Sequence, residues 1–380
     1  MLHLQITLFQ QPFLIASKLY LMGLGYIHEM YLQTPIYLES SIKILRNMKF
    51  KSLLLSGILA FTSANLIAQN MTDGIFMAKN NFCGGIGYTH DTWNKYWEGT
   101  LFRENKNLGN VNTQTITAMG NYGISDRFNV LFMLPYVKTE ATKGTLKGMS
   151  GVQDLTLALK YRIAQIKNLS VIGSVGGSLP TNNYVADFLP LAIGMQSKTV
   201  FARGILYYTL PHELALTAQG AYIHRSNVRV DREMYFSDQA YFTNEMMMPD
   251  VVNFGGKFGH YSYRWQLEAT YEQNIVNGDI DIRRNDMPGL CAKMDFTRIG
   301  LVAAYRIPQL KDLQIMGTVG QIVAGRNVGK STTFSISILQ YIDLRKNKGG
   351  GGIPTGPICR PGDANHTGNM STDEHKDGHK

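Results

Sequence analysis

"LALKYRIAQIKNLSVIGSVGG", residues 157–177, decides the fold. Leu157, Leu159, Tyr161 and Ile163 alternate with Thr156, Ala158, Lys160 and Arg162. After a break at 165–168 the alternation resumes with Leu169 and Val171 around Ser170. A period of two marks a strand, and a short polar break between two such runs marks a hairpin. A helix would scatter Leu157, Tyr161 and Arg162 over unrelated faces. The same phrase recurs as "LVAAYRIPQLKDLQIMGTVGQ" at 301–321, so the chain reuses one supersecondary unit.

Working outward, the same periodicity predicts about twelve strands: 82–90, 111–123, 128–138, 153–163, 169–179, 198–210, 214–225, 251–260, 264–275, 296–307, 313–323 and 333–343. Their connections alternate in length. Short turns at 125–127, 164–168, 211–213, 261–263 and 308–312 interleave with long polar segments at 91–110, 139–152, 180–197, 226–250, 276–295 and 324–332. An even strand count, strands near ten residues and this alternation predict an all-β fold: a transmembrane antiparallel β-barrel of the outer-membrane type over 82–343. The short turns then face the periplasm and the long loops the exterior. Both copies of the repeated phrase become periplasmic hairpins, with Tyr161 and Tyr305 in the inner aromatic girdle. A secreted β-sandwich also has alternating strands, but nothing in a sandwich requires its connections to alternate in length.

Composition agrees. The 380 residues include 38 Gly and 20 Tyr, and only 17% are charged, which favours one large glycine- and aromatic-rich β-structure over several soluble domains. Helical spans would need runs of about twenty apolar residues, and none occurs after residue 68. The formal charge of +9 does not point to nucleic acid, because its cations are scattered along alternating strands.

Residues 48–68 read as a secretory signal peptide: Lys49 and Lys51, an apolar core from Leu53 to Phe61, and cleavage after Ala68 or Ala64. Met48 is then a natural start, and 1–47 a mis-assigned upstream extension. Residues 69–81 are expected as a periplasmic segment or a plug in the lumen. Residues 344–380 form a Gly-rich linker and a polar tail, expected to be disordered and periplasmic. Its His366, His375 and His379 are candidate ligands for a divalent metal. Cys83, Cys291 and Cys359 give neither a disulfide framework nor a zinc signature.

The strand "RWQLEATYEQN", 264–274, sets Trp265, Leu267, Ala269 and Tyr271 on one face and Gln266, Glu268, Thr270 and Glu272 on the other. In a barrel the apolar face meets lipid. Extending that rule gives lumen-facing candidates Lys160, Arg162, Arg203, Lys257, Arg298 and Arg306 against Glu268 and Glu272. A basic excess in a narrow pore would favour anionic solutes, whereas charges paired across the bore would close it. Small lumenal positions (Ser170, Ser174, Gly176, Thr217, Thr318) favour a pore.

"NYGISDRFNVLFMLPYV", 121–137, followed by "GVQDLTLALKYRI", 151–163, resembles the outer-membrane transporter family labelled putative MetA-pathway of phenol degradation. Tyr122, Gly123, Asp126, Arg127, Leu134, Pro135 and Tyr136 match the first motif, and Gly151, Asp154, Leu155, Lys160, Tyr161 and Arg162 the second. Gln153 stands where the family has a glycine. The resemblance implies a barrel passing small organic, including aromatic, compounds. The alternative is a non-conducting barrel that anchors ligand- or metal-binding loops and tail.

"VAGRNVGKST", 323–332, only looks like a phosphate loop. Ala324 stands where the first glycine belongs, and the segment leads into an alternating strand rather than a helix. Met246–Met248 is expected to pack a long loop onto the barrel mouth. No Gly-x-Ser-x-Gly or His-Glu-x-x-His occurs, and the loop acids Asp279, Asp281 and Asp286 read as solvation, so no enzyme, cofactor or nucleotide is expected.

Overall fold

The computed structural model describes residues 70–283, 289–310 and 313–344. Twelve long strands carry the architecture: β1 Asn81–Trp93, β2 Val111–Ser125, β3 Phe128–Ala141, β4 Asp154–Ile166, β5 Leu169–Pro180 and β6 Thr199–Thr209. They continue as β7 Leu214–Arg225, β8 Val251–Tyr261, β9 Trp265–Val276, β10 Asp295–Ile307, β11 Leu313–Arg326 and β12 Thr332–Asp343. Each pairs antiparallel with its neighbours in sequence. β1 closes the cylinder by pairing β12, from Asn81↔Asp343 to Thr92↔Thr332, so no barrel edge is left open.

The side-chain faces exclude the sandwich. On β9, Trp265, Leu267 and Tyr271 are exposed, while Gln266 and Glu268 are buried. Ile116, Leu157, Val200, Leu301 and Ile336 repeat the outward apolar pattern on other strands. A water-soluble protein buries such residues; a continuous outward band of them needs hydrocarbon around it. At the short-turn end, Phe128 packs edge-on against Tyr161 and Trp265 lies tilted against Tyr305, with ring centroids 6.4 and 4.4 Å apart. The two repeated hairpins thus set their tyrosines into one aromatic ring of the barrel.

The long loops carry structure that the alternation does not announce. Lys95–Glu98 pairs with Leu101–Glu104 around Gly99, whose φ of +57° suits a residue without a Cβ. Two further short ladders join Val228–Arg229 to Glu245–Met246 and Tyr235–Phe236 to Ala240–Tyr241. Met246, Met248, Val228, Tyr235, Leu290 and Cys291 form a buried apolar cluster, so the loops have a small core of their own. Met246 and Met248 are spent on that packing, while Met247 is exposed. The histidines His366, His375 and His379, the tail, residues 1–69 and Asp286 lie outside the described residues. Among those described, no cluster of three metal-ligating side chains occurs, and Cys83 and Cys291 are free.

Candidate functional site

A segment ahead of β1 enters the lumen. Residues 70–80 show no alternation; Gly74 sits where its backbone presses on the Tyr207 ring, and Ile75 and Phe76 are buried with Ile172, Ile205, Tyr207 and Tyr261 of the inner wall. Lys160, fully buried, holds this segment in three ways. Its Nζ pairs with Asp73 Oδ1 at 2.7 Å and donates to the carbonyls of Ile75 at 3.0 Å and Asn70 at 3.3 Å. The Phe76 ring lies under Lys160 and Arg162, at 5.1 and 4.6 Å from its centroid. A buried lysine is tolerable only with such partners.

The exit of the segment is fixed at the short-turn end. Lys79 N donates to Asp126 Oδ1 at 2.9 Å, Asn80 N to the Gly123 carbonyl at 2.8 Å, and Tyr122 OH to Asn80 Oδ1 at 3.4 Å. Gly123 must be glycine here, since a Cβ would overlap the Ala78 carbonyl. Six motif residues thus make contact with the chain around the lumen: Tyr122, Gly123, Asp126, Lys160 and Arg162 touch residues 70–80, and Asp154 accepts a hydrogen bond from Tyr184 OH at 2.5 Å. Tyr184 belongs to the loop after β5, which folds against the inner wall: Tyr184 and Ile193 pack on Val137, and Thr139 Oγ1 donates to the Leu191 carbonyl at 2.6 Å.

Beyond the segment, the lumen keeps a polar cavity of about 470 Å³ against β6–β10, with Thr72 among its lining residues. Arg203, Lys257, Glu272 and Arg298 line it; Arg298 Nη1 meets Glu272 Oε2 at 3.4 Å, and Lys257 Nζ reaches Asn70 Oδ1 at 3.4 Å. Of the other candidates, Glu268 is buried beside Gln266, to which it bonds, and Arg306 is buried over the Tyr263 ring at 5.2 Å. Gln219 and Asn253, neither charged nor small and so absent from the lumenal candidates, link Arg203 to Glu272. Both occupy the same alternating lumenal positions as the charges, and that pattern would have found them. Ser174 and Thr217 are lumenal and small as expected, but residues 71–77 take up much of the width such positions leave.

At the long-loop end a second cavity of about 590 Å³ lies between loops, lined by Trp93, Tyr96, Leu108, Leu189, Ile282 and Met294 among others. Asn327, with φ +56°, ties its walls together. Its Oδ1 accepts from Gly99 N at 2.7 Å and Ile282 N at 3.1 Å, and its Nδ2 donates to Asp281 Oδ1 at 2.8 Å. Arg326 grips Asp281 with two bonds of 2.7 and 2.6 Å, which hold the Asp281 carboxyl down at about 2 despite some burial. Asp281 is therefore a structural tie. Asp279 accepts from Ser237 Oγ at 3.1 Å.

No protein-family model matches the chain, and no curated protein matches it. Among solved structures, the COG4313 outer membrane channel from Pseudomonas putida F1 is similar at a TM-score of 0.55 with 16% identity, over 72% of this chain and 100% of that one. The translocator domain of autotransporter NalP from Neisseria meningitidis scores 0.38 at 11% identity, over 79% and 97%. The TodX monoaromatic hydrocarbon channel, as a deltaS2 mutant, scores 0.38 at 10%, over 70% and 91%. With its closed twelve-stranded cylinder and outward apolar band, this chain has the transmembrane barrel fold of the Pseudomonas putida channel.

Proposed function

We propose that the protein is an outer-membrane channel for small organic solutes, with a preference for anions, in a Gram-negative envelope. The observation that carries this is the polar lumenal cavity: Arg203, Lys257 and Arg298 line it against the single carboxylate of Glu272. Cations set in a low-dielectric wall raise the local concentration of anions. The apolar, aromatic-edged cavity between the outer loops would receive the carbon skeleton of a solute before it enters. The motif resemblance to the phenol-degradation transporters and the barrel shared with a bacterial outer-membrane channel both favour transport, and the reading assigns no catalysis.

The rival is a closed barrel that anchors its loops and tail. It is favoured by residues 70–80, seated in the lumen through a fully buried ion pair. Liposome swelling separates the two. Vesicles carrying the full chain should admit small organic acids faster than neutral solutes of equal size. Folded barrel that admits neither would remove the channel reading.

A further inference from the structure

A row of polar side chains crosses five consecutive strands on the lumenal wall. Arg203 on β6 donates from Nη1 to Gln219 Oε1 on β7 at 2.6 Å, and Gln219 Nε2 donates to Asn253 Oδ1 on β8 at 2.9 Å. Asn253 Nδ2 donates to Glu272 Oε1 on β9 at 3.0 Å, and Arg298 Nη1 on β10 donates to Glu272 Oε2 at 3.4 Å. Each amide accepts from one side and donates to the other, and Asn253 Nδ2 also reaches Asn274 Oδ1 at 3.5 Å, so the row has a fixed direction. Its carboxylate end is neutralised by Arg298. At the other end, Arg203 spends one of its five N–H groups on a neutral carbonyl.

The wall is therefore unbalanced. Among the described residues Arg203 forms no ion pair, and Lys257 has only the long contact to the Asn70 amide oxygen. Both line the 470 Å³ cavity. Thr217 lines it too and is 1% exposed, yet its Oγ1 has no partner among the described residues, as is true of Arg203 Nε. Thr217 stands directly across the ladder from Lys257. The cavity wall thus carries three cations, Arg203, Lys257 and Arg298, against the one carboxylate of Glu272, an excess that an acidic ligand would offset.

We propose that this cavity binds the carboxylate of a small polar organic acid. The guanidinium fork of Arg203 matches two carboxylate oxygens better than a spherical anion, and Lys257 supplies the second charge. Asn274, Thr270 and Thr72 in the remaining lining suit hydroxyl groups, beside the apolar surface of Ile223 and Tyr271. Gly255 keeps the wall low, since a Cβ there would collide with the Gln219 side chain. The inference rests on the channel reading for the route by which the acid arrives, but binding itself needs no conduction.

The test is calorimetric titration of the full chain, folded in detergent and checked by a heat-dependent gel shift, with sodium gluconate and separately with the neutral polyol sorbitol. Gluconate should bind and sorbitol should not. Arg203→Gln and Lys257→Gln should each weaken gluconate at least tenfold, while Lys143→Gln in an outer loop leaves it unchanged. If Arg203→Gln does not fold, Lys257→Gln carries the comparison. Equal affinity in both lumenal variants, or a folded, conducting barrel that gives no heat with gluconate, would overturn the site. A barrel that binds gluconate through Arg203 and Lys257 but never passes solute keeps the site and removes the channel.

Discussion

Lys160 is the side chain on which the state of the lumen turns. Its ammonium is fully buried with Asp73, and breaking a buried ion pair from one side leaves an uncompensated charge at a cost of about 3–5 kcal/mol. Lys160→Met should therefore unseat residues 70–80. Hydrogen exchange at Ile75–Met77 should speed up and conductance should rise, and adding Asp73→Asn should restore part of the protection. Unchanged exchange would mean that the apolar contacts of Ile75 and Phe76 hold the segment alone. Lys160, Arg162, Gly123 and Asp126 were visible in the sequence as motif residues. Their partner was not, because residues 70–80 have neither alternation nor a cap, and the sequence allowed a periplasmic segment as readily as a plug.

The strands were legible because each must present alternate residues to lipid and to the lumen, which writes a period of two into the chain. All twelve appear where that period placed them; several run further at one end, as Phe128–Ala141 and Leu313–Arg326 do, while Thr199–Thr209 is slightly shorter. The outward face can be tested directly. Leu301→Arg, in mid-strand, should cost about 2–4 kcal/mol in equilibrium unfolding from lipid vesicles; a change near zero would mean that Leu301 does not face lipid. The loops were less legible. The cluster of Met246, Met248, Val228 and Cys291 joins segments far apart in sequence, and Asn327 bridges three loops through backbone groups that no pattern records. Their acid sensitivity follows from Asp281. Its carboxyl sits at about 2, held there chiefly by the hydrogen bonds of Arg326, against about 3.9 in an unfolded chain. A depressed folded value means that the tie contributes fully above pH 4 and is lost as pH falls through about 2. Protease resistance of the outer loops should hold from neutrality to pH 4 and fall away as pH drops through about 2, while Asp281→Asn should lower it above pH 4 and match the parent below pH 2. Loops equally resistant at pH 2 would remove Asp281 as the tie.

The described barrel is a closed cylinder that is apolar outside and polar inside, with residues 70–80 seated at its short-turn end and packed loops at the other. The closed sheet satisfies every strand edge, as a hydrocarbon environment demands. Its lumen combines Arg203 and Lys257, neither in an ion pair among the described residues, with a seated segment, so it should pass solutes slowly and select them by charge. The most direct test is single-channel recording of the full chain in a planar bilayer, in symmetric salt and then across a salt gradient. The account predicts small, discrete openings with a reversal potential on the anion side, and larger ones for Lys160→Met. Folded barrel that stays silent in both forms, or one that prefers cations, would contradict it.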